Sequence, residues 1–173
     1  ISFNNKNLSK IKDFEVAKLG ISRTFQDVRL FKNLTIKDHL EIAMSQRDEE
    51  LLSNLLVGEN VPIEKIKAVL ELVGLEKSLN TYAVDLSYGQ RKLLDLAVAI
   101  AKTHTVLMLD EPVAGVNPLL RNKIKKIIKS LNKKGETVLL IEHDMNFVMD
   151  LADHIFVMDS GRVIAEGKPD KIQ

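Results

Sequence analysis

The chain has 173 residues, of which 45% are hydrophobic, enough for one ordinary domain with room for a subdomain. Its 25 basic and 24 acidic residues leave a formal net charge of +1, so no overall charge draws it to nucleic acid or an anionic membrane. The absence of cysteine excludes disulfides, thiol chemistry and thiolate metal sites. No apolar run approaches the roughly 20 residues of a membrane span, and no signal peptide is recognisable.

The first third of the chain predicts helices. Ile1–Lys6 has no cap or leader character, which predicts that the chain begins inside a longer protein. Gln26 follows in RTFQD and indicates nothing by itself. Residues 35–79 carry no strand pattern, and Thr35 with Asp38 forms a capping box that opens a helix. The apolar stripe of a second helix is made of Ile63, Ile66, Leu70 and Val73.

The stretch LSYGQ, Leu86–Gln90, precedes a third helical pattern. Ser87 is a good N-cap, and Gly89 lets a ligand approach the backbone closely. A helix N-terminus with a free hydroxyl attracts anions, phosphate above all. Read alone, however, this pattern is common, and helix capping explains it better.

Two adjacent carboxylates, Asp110 and Glu111, follow the apolar run Val106–Leu109. Such a run is typical of a parallel strand that is covered on both faces, and ligands gather beyond the carboxyl ends of these strands. Asp110 could hold a hard cation with phosphate oxygens, and Glu111 could accept a proton from an attacking water. The alternative is a pair of solvated acids that cap the next helix, and this motif alone does not separate the two.

The next helix begins with Asn117 as N-cap and Pro118 in the first turn. Its many lysines are typical of the solvated face of a crossover helix, rather than of a helix on a membrane surface. Thr137–Ile141 is a second buried strand, so strand, helix and strand predict a right-handed parallel crossover. His143 follows this second strand. If the two strands are neighbours in the sheet, His143 should lie near Asp110 and Glu111 at the same edge.

The end of the chain predicts a hairpin, with Ile155–Met158 and Val163–Ala165 joined by a glycine-containing turn. A phosphate-binding P-loop, G-x-x-x-x-G-K-[ST], does not occur in the sequence. The nearest match, residues 161–169, has one residue too many between its glycines and ends in proline. We reject it. We assign no function to the remaining histidines His39, His104 and His154.

Taken in order, Gln26, LSYGQ, VLMLDEP, AGVN and IEHD resemble the Q-loop, signature, Walker B strand, D-loop and histidine switch of ABC transporter ATP-binding subunits. GISRTFQDVRLFKNLT, LSYGQRKLLDLA, DEPVAGVNP and IEHDMNFVMDLADHI are similar to the branch that powers branched-chain amino acid importers. The resemblance covers nearly the whole chain. It implies an α/β, P-loop NTPase-like fold, in which a parallel sheet core carries an inserted helical subdomain.

The resemblance also divides the chain. Residues 1–30 would be a partial ATPase core up to the Q-loop, 31–85 the helical subdomain, and 86–173 the rest of the core from the signature helix onward. The N-terminal part with the P-loop, roughly 60–80 residues for a domain of ordinary size, would be missing. We therefore expect the 173-residue chain alone to bind ATP weakly and not to hydrolyse it.

The resemblance implies ATP and Mg²⁺ as cofactors and gives each motif residue a role. Glu111 would polarise the attacking water, His143 would contact the γ-phosphate, and Gln26 would relay the nucleotide state, all three being catalytic. Asp110 and Gln26 would hold Mg²⁺. The other nucleotide-binding residues would be Ser87, Gly89 and Gln90, which reach ATP on the opposite subunit, and Asn117 of the D-loop.

Two positions depart from the common family pattern and agree with this branch. Tyr88 replaces the first signature glycine, and Asn117 replaces an aspartate, keeping hydrogen bonds but losing charge. The implied partners are a second ATP-binding subunit, identical or different, and integral permease subunits, with a solute-binding protein involved indirectly and no nucleic acid. The implied location is peripheral, on the cytoplasmic face of the inner or plasma membrane.

Two alternatives to amino-acid import stay open. One is the ATPase of another ABC system, such as a lipopolysaccharide-type exporter or a urea or amide importer. The other is a non-catalytic ABC-like subunit, against which the intact Glu111, His143 and Gln26 argue. The sequence does not identify the solute.

Overall fold

The computed structural model describes residues 2–45 and 61–172; Ile1 and residues 46–60, on which parts of the sequence predictions fall, lie outside the described residues, as does Gln173. The strands are β1 (Ser2–Phe3), β2 (Lys6–Asn7), β3 (Ile21–Arg23), β4 (Val106–Asp110), β5 (Thr137–Ile141), β6 (Ile155–Asp159) and β7 (Arg162–Gly167). The α-helices are α1 (Asp13–Lys18), α2 (Ile36–Met44), α3 (Ile63–Val73), α4 (Tyr88–Ala101), α5 (Pro118–Lys133) and α6 (Met145–Met149).

The centre of the fold is a parallel sheet with strand order β3-β4-β5. Arg23 pairs with Met108 on β4, and Asp110 pairs with Ile141 on β5. The carboxyl ends of the three strands therefore meet at one edge of the sheet. This confirms the parallel arrangement expected from the two apolar runs, and it positions the residues that follow each strand.

The two faces of the sheet differ in how they are covered. On one face, Leu107 and Leu109 of β4 are 0% and 1% exposed, and their partners Val138 and Leu140 on β5 are half-buried. On the other face, Leu139 and Ile141 of β5 are 47% and 49% exposed. The expectation that both faces of each strand are covered is therefore wrong for β5 within the described part of the chain.

The helices α2 and α3 begin and end at the expected residues. The Thr35 hydroxyl accepts the Asp38 N–H, and the Asp38 carboxylate accepts the Thr35 N–H, which is the predicted capping box. Gly74 ends α3 with φ +62°, a left-handed conformation that glycine adopts without a side-chain penalty. The apolar stripes of both helices are buried, and their members are Ile36, Leu40, Ile66, Leu70 and Val73.

Helix α4 connects this helical region to the sheet. It packs against both α2 and α3, and also against β3. Its apolar residues Leu94 and Ala97 are completely buried. Burial of a side chain as large as that of Leu94 stabilises the fold by about 1.5–3 kcal/mol. One continuous apolar cluster thus runs from the helical region through α4 to β4 and α5. The domain boundaries at 30/31 and 85/86 stay predictions.

The predicted crossover helix and hairpin are both present. Helix α5 begins at Pro118, with the Asn117 side chain accepting the Leu120 N–H. Strands β6 and β7 pair antiparallel around Ser160 and Gly161, whose φ values of 49° and 78° suit a tight hairpin turn. The rejected P-loop match lies in this hairpin. None of the helices in the described ranges is long and apolar enough to span a bilayer.

Candidate functional site

Four residues predicted to be functional meet at the carboxyl edge of the sheet. Gln26 Nε2 donates to Glu111 Oε2 at 2.9 Å, and His143 Nδ1 lies 3.5 Å from Glu111 Oε1. Asp110 is the residue before Glu111 and ends β4. We call Gln26, Asp110, Glu111 and His143 the sheet-edge cluster. The end of β4 and the loops that follow the three adjacent parallel strands supply them, so the sheet itself brings these residues together.

Glu111 leaves β4 through an unusual backbone conformation. Its φ is +44°, a region that non-glycine residues occupy at a cost on the order of 1 kcal/mol or more. Its N–H still donates to the Ile141 carbonyl at 2.9 Å, so the strand pairing continues one residue beyond β4. The carboxylate is about one-quarter exposed, at 24%. It can therefore meet both the neighbouring side chains and a solvent molecule.

Asp110 is held by residues of β3 and its following loop. Arg23 Nη2 lies 2.9 Å from Asp110 Oδ2, and the Asp110 N–H donates to Thr24 Oγ1 at 3.2 Å. The same guanidinium lies 5.2 Å from the centre of the Phe25 ring. Sequence reasoning missed Arg23. Its signal was its position, since a strand paired beside β4 ends with this residue.

A second glutamate shapes the turn after Glu111. Glu142 Oε1 accepts the Val113 N–H at 3.1 Å, which ties the segment after β4 to the residue that precedes His143. Glu142 Oε2 is buried without a hydrogen-bond partner among the described residues. Glu142 is the second residue of the IEHD motif, and the sequence pattern indicated no role for it.

The signature segment, Ser87–Gln90, forms the beginning of α4. Ser87 Oγ accepts the Gln90 N–H at 3.3 Å, and Gln90 Oε1 accepts the Ser87 N–H at 3.0 Å. This reciprocal capping box confirms Ser87 as the N-cap. A β-carbon at Gly89 would lie 2.8 Å from Leu120 Cδ2, so α5 approaches this turn closely. In the described part of the chain, no hydrogen bond joins these side chains to the sheet-edge cluster.

Tyr88 connects the signature segment to the predicted D-loop of the same chain. Its hydroxyl donates to the Ala114 carbonyl at 3.1 Å. Gly115 has φ +69°, and a β-carbon there would lie 3.5 Å from the Tyr88 ring. Asn117, two residues further on, caps α5. The structure thus brings Tyr88 and the D-loop together, which sequence reasoning did not foresee.

Two charged residues on α4 lie behind the cluster and were also missed. Lys92 is 4% exposed, and its ammonium donates to the Gln26 carbonyl at 2.9 Å and to the Glu111 carbonyl at 3.3 Å. Lys92 and Asp95 both line a small pocket next to Thr24 and Phe25. Burial raises the pKa of Asp95 to about 6, and the positive charge of Lys92 opposes that rise. Helical spacing gave a signal, since Lys92 shares a face with the buried Leu96 and Ala99.

The other three histidines, for which the sequence indicates no function, have structural contacts. His39 accepts the Phe31 N–H and lies 2.8 Å from the Thr35 carbonyl. His104 contacts Glu136, and His154 contacts Glu166, each at 3.0 Å. Residues 2–45 and 61–172 contain no group of three or more acidic or histidine side chains that could hold a metal ion by themselves.

Comparison with known proteins identifies the family to which the chain is similar. The family described as "ABC transporter" matches residues 1–114. Among curated proteins, the "High-affinity branched-chain amino acid transport ATP-binding protein LivG" of Salmonella typhimurium is 34% identical over 100% of this chain and 71% of its own length. The corresponding protein BraF of Pseudomonas aeruginosa is 36% identical with the same coverages.

A solved structure agrees in fold as well as in sequence. It is MJ1267, described as an ATP-binding cassette of an ABC transporter, and it aligns with a TM-score of 0.78 at 33% identity. The alignment covers 98% of this chain and 69% of MJ1267. The α/β, P-loop NTPase-like fold expected from the motifs is therefore confirmed.

Proposed function

This chain belongs to the ABC transporter family of ATPases, and we propose that it hydrolyses ATP to power an importer of branched-chain or other amino acids. The relatives that carry this activity in their names are 34–36% identical and align over the full length of the chain. The longer matching stretches, such as DEPVAGVNP, favour the same branch. Transport of radiolabelled leucine into vesicles that contain the complete complex, with urea as the competing candidate, tests the solute class.

The observation that carries the catalytic proposal is the meeting of Gln26, Glu111 and His143. Phosphoryl transfer needs a positioned water and neutralised charge more than it needs covalent chemistry. Glu111 Oε1 and Oε2 are within 3.5 Å and 2.9 Å of His143 and Gln26. With ATP bound, Glu111 would orient and polarise the attacking water, His143 would contact the γ-phosphate, and Gln26 would hold Glu111 in place.

The residues at Asp110 suit Mg²⁺. The carboxylate of Asp110 and the amide oxygen of Gln26 are hard oxygen donors of the kind this ion binds. The Arg23 guanidinium lies 2.9 Å from Asp110 Oδ2, so Mg²⁺ would bind through the other carboxylate oxygen or replace this ion pair. When bound, the ion would neutralise phosphate charge. Asp110 and Gln26 are the residues that we propose to hold it.

We propose that the signature segment contacts ATP that is bound to the second subunit of the working dimer. Ser87 is exposed at the N-terminus of α4, and Asn117 is exposed at the N-terminus of α5, where backbone N–H groups favour anions. Ser87, Gly89, Gln90 and Asn117 would thus contact ATP that the sheet-edge cluster of the opposite subunit holds. Co-purification of two differently tagged copies would show whether the two subunits are identical.

The permease would bind on the helical region that follows Gln26. The described part of this region exposes five large apolar side chains, and their exposed fractions of 43–66% leave them open to a partner. They are Phe31, Ile42, Ile63, Tyr82 and Val84. This position would hold the subunit on the cytoplasmic face of the membrane and connect it only indirectly to a solute-binding protein.

The experiment that tests the catalytic proposal is Glu111→Gln in the complete gene product. The amide cannot accept the proton of the attacking water, so we expect turnover to fall at least about 100-fold. ATP binding should persist, and gel filtration with ATP should show a trapped dimer. Co-purification of two differently tagged copies then distinguishes a homodimer from a heterodimer. Glu166→Gln, the same change on the exposed hairpin, is the control, and unchanged turnover in Glu111→Gln would refute the assignment.

A further inference from the structure

Lys92 is a buried ammonium with two main-chain acceptors. It lies in the second turn of α4, is 4% exposed, and donates to the carbonyls of Gln26 and Glu111 at 2.9 Å and 3.3 Å. Burying a charge is costly unless it is paired and hydrogen-bonded. A lysine is therefore not needed merely to fill this space, for which an apolar side chain of similar length would serve.

The two acceptors belong to the two residues whose side chains are bonded to each other. Gln26 Nε2 donates to Glu111 Oε2 at 2.9 Å, while their main chains share the Lys92 ammonium. Gln26 and Glu111 are thus connected twice, once by their side chains and once through Lys92, which binds both main chains. Since Gln26 lies in an exposed loop and Glu111 has a strained φ of +44°, a contact that fixes both main chains restricts where both side chains point.

The helix that carries Lys92 begins with the signature segment. Ser87 caps α4 five residues before Lys92, within one rigid helix of 14 residues. Asp95 follows one turn later and lines the same pocket, so it supplies negative charge near the ammonium. A displacement of the signature segment would therefore reach Gln26 and Glu111 through Lys92.

We propose that Lys92 is a positioning residue, which holds Gln26 and Glu111 in register and couples them to the signature segment through α4. This inference rests on the catalytic roles proposed above for Gln26 and Glu111. Lys92 itself would not touch ATP. Its loss should therefore change the rate of the chemical step and leave nucleotide affinity nearly unchanged.

The test compares Lys92→Met, Lys92→Arg and Lys123→Met in the complete ATPase complex. Methionine keeps the length of the side chain and removes its donors, so we expect kcat to fall about 10- to 100-fold, as misplacement of a catalytic group does, with KM for ATP within about threefold. Arginine restores two donors and should be at least tenfold more active than methionine. Lys123 also donates to a backbone carbonyl, that of Gly74 at the end of α3, which is not part of the cluster, and Lys123→Met should keep wild-type kcat.

A second measurement separates positioning from folding. If Lys92 acts through Gln26, the losses of kcat in Lys92→Met and Gln26→Ala should be strongly non-additive in the double variant. Should Lys92→Met fold poorly, Lys92→Met combined with Asp95→Asn removes the unpaired carboxylate and serves in its place. A kcat within twofold of wild type, additive losses, or a loss equal to that of Lys123→Met would overturn the proposal.

Failure of this inference is distinguishable from failure of the proposed function. If Glu111→Gln abolishes turnover and Lys92→Met does not change it, only the positioning role is wrong. If Glu111→Gln leaves turnover unchanged, the catalytic assignment fails, and the role of Lys92 fails with it.

Discussion

The sheet-edge cluster and the signature segment use their polar side chains in opposite ways. In the cluster, Gln26 and His143 point at the carboxylate of Glu111, which comes from a third loop. In the signature segment, Ser87 and Gln90 bond to each other's backbone within one turn of helix. The cluster depends on long-range folding, whereas the signature segment is complete as soon as α4 forms.

This difference separates two kinds of functional residue. The cluster already has mutual contacts that fit its proposed role in hydrolysis, so its variants should show their effect in the chemical step. The signature segment offers a helix N-terminus without a ligand of its own, so its variants should act through the second subunit.

The largest effect among them should come from His143→Ala. It removes the ring nitrogen 3.5 Å from Glu111 and the proposed contact with the γ-phosphate. Loss of one such stabilising group costs about 100- to 1,000-fold in kcat, and stability should barely change because the His143 side chain is 76% exposed. Steady-state ATPase assays and thermal unfolding measure both. His154→Ala on the hairpin is the matched control, and equal losses in the two variants would contradict the prediction.

Ser87→Asp tests the other region, with a somewhat smaller effect. Aspartate caps helices as well as serine does, so the free energy of unfolding should change by less than about 0.5 kcal/mol. Its negative charge would face the phosphate of the opposite subunit, and like charges in contact cost several kcal/mol. We therefore expect ATP-dependent dimerisation, followed by light scattering, to weaken about 30- to 100-fold.

Ser87→Thr, which keeps both the cap and the hydroxyl, is the control for that experiment. If Ser87→Asp dimerises and hydrolyses ATP normally, Ser87 serves only as a helix cap. The claim that the signature segment acts through the second subunit would then be wrong.

Sequence reasoning predicted the parts of the site that follow from local pattern. The N-caps at Thr35, Ser87 and Asn117 are set by residue type and spacing within one turn. The strand ends before Glu111 and His143 follow from apolar runs, and parallel pairing then places these residues at one edge.

The parts that were missed depend on distant segments. Arg23 reaches Asp110 and Lys92 reaches Gln26 because β3, β4 and α4 pack together. Helical spacing places Lys92 on the apolar face of α4, but it does not identify the carbonyl groups that the ammonium meets. The exposed face of β5 was misjudged for the same reason, since an apolar run does not say what covers it.

Asp95→Asn probes the helix that joins the two regions, with a moderate effect on stability. The pKa of Asp95 is raised to about 6, chiefly by burial. The folded protein therefore binds more protons than the unfolded chain between about pH 4 and 6, and wild-type stability falls as pH rises through that window. Asparagine stays neutral, so the variant should be more stable above pH 6, by on the order of 2 kcal/mol, and equal to wild type below pH 4.

Urea denaturation between pH 4 and 8 measures this difference. Asp150→Asn is the control of opposite sign, because a hydrogen bond and the charge of Lys125 lower the pKa of that exposed carboxylate. Its substitution should give no gain at any pH. A constant difference between Asp95→Asn and wild type across the range would show that the Asp95 carboxylate does not titrate as the fold requires.

Tyr88→Phe should give the smallest effect, and it tests whether the two regions communicate within one chain. The substitution removes a single hydrogen bond, 3.1 Å from the Tyr88 hydroxyl to the Ala114 carbonyl, at a residue that is 45% exposed. We expect a loss of about 0.5–1 kcal/mol in unfolding free energy and a turnover reduced by about two- to fivefold. Tyr82→Phe makes the same chemical change at a side chain that is 49% exposed on the proposed permease surface, and it should leave the turnover of the ATPase without its permease unchanged. If both variants keep wild-type turnover, the Tyr88 contact has no part in catalysis, and the signature segment acts only across the dimer.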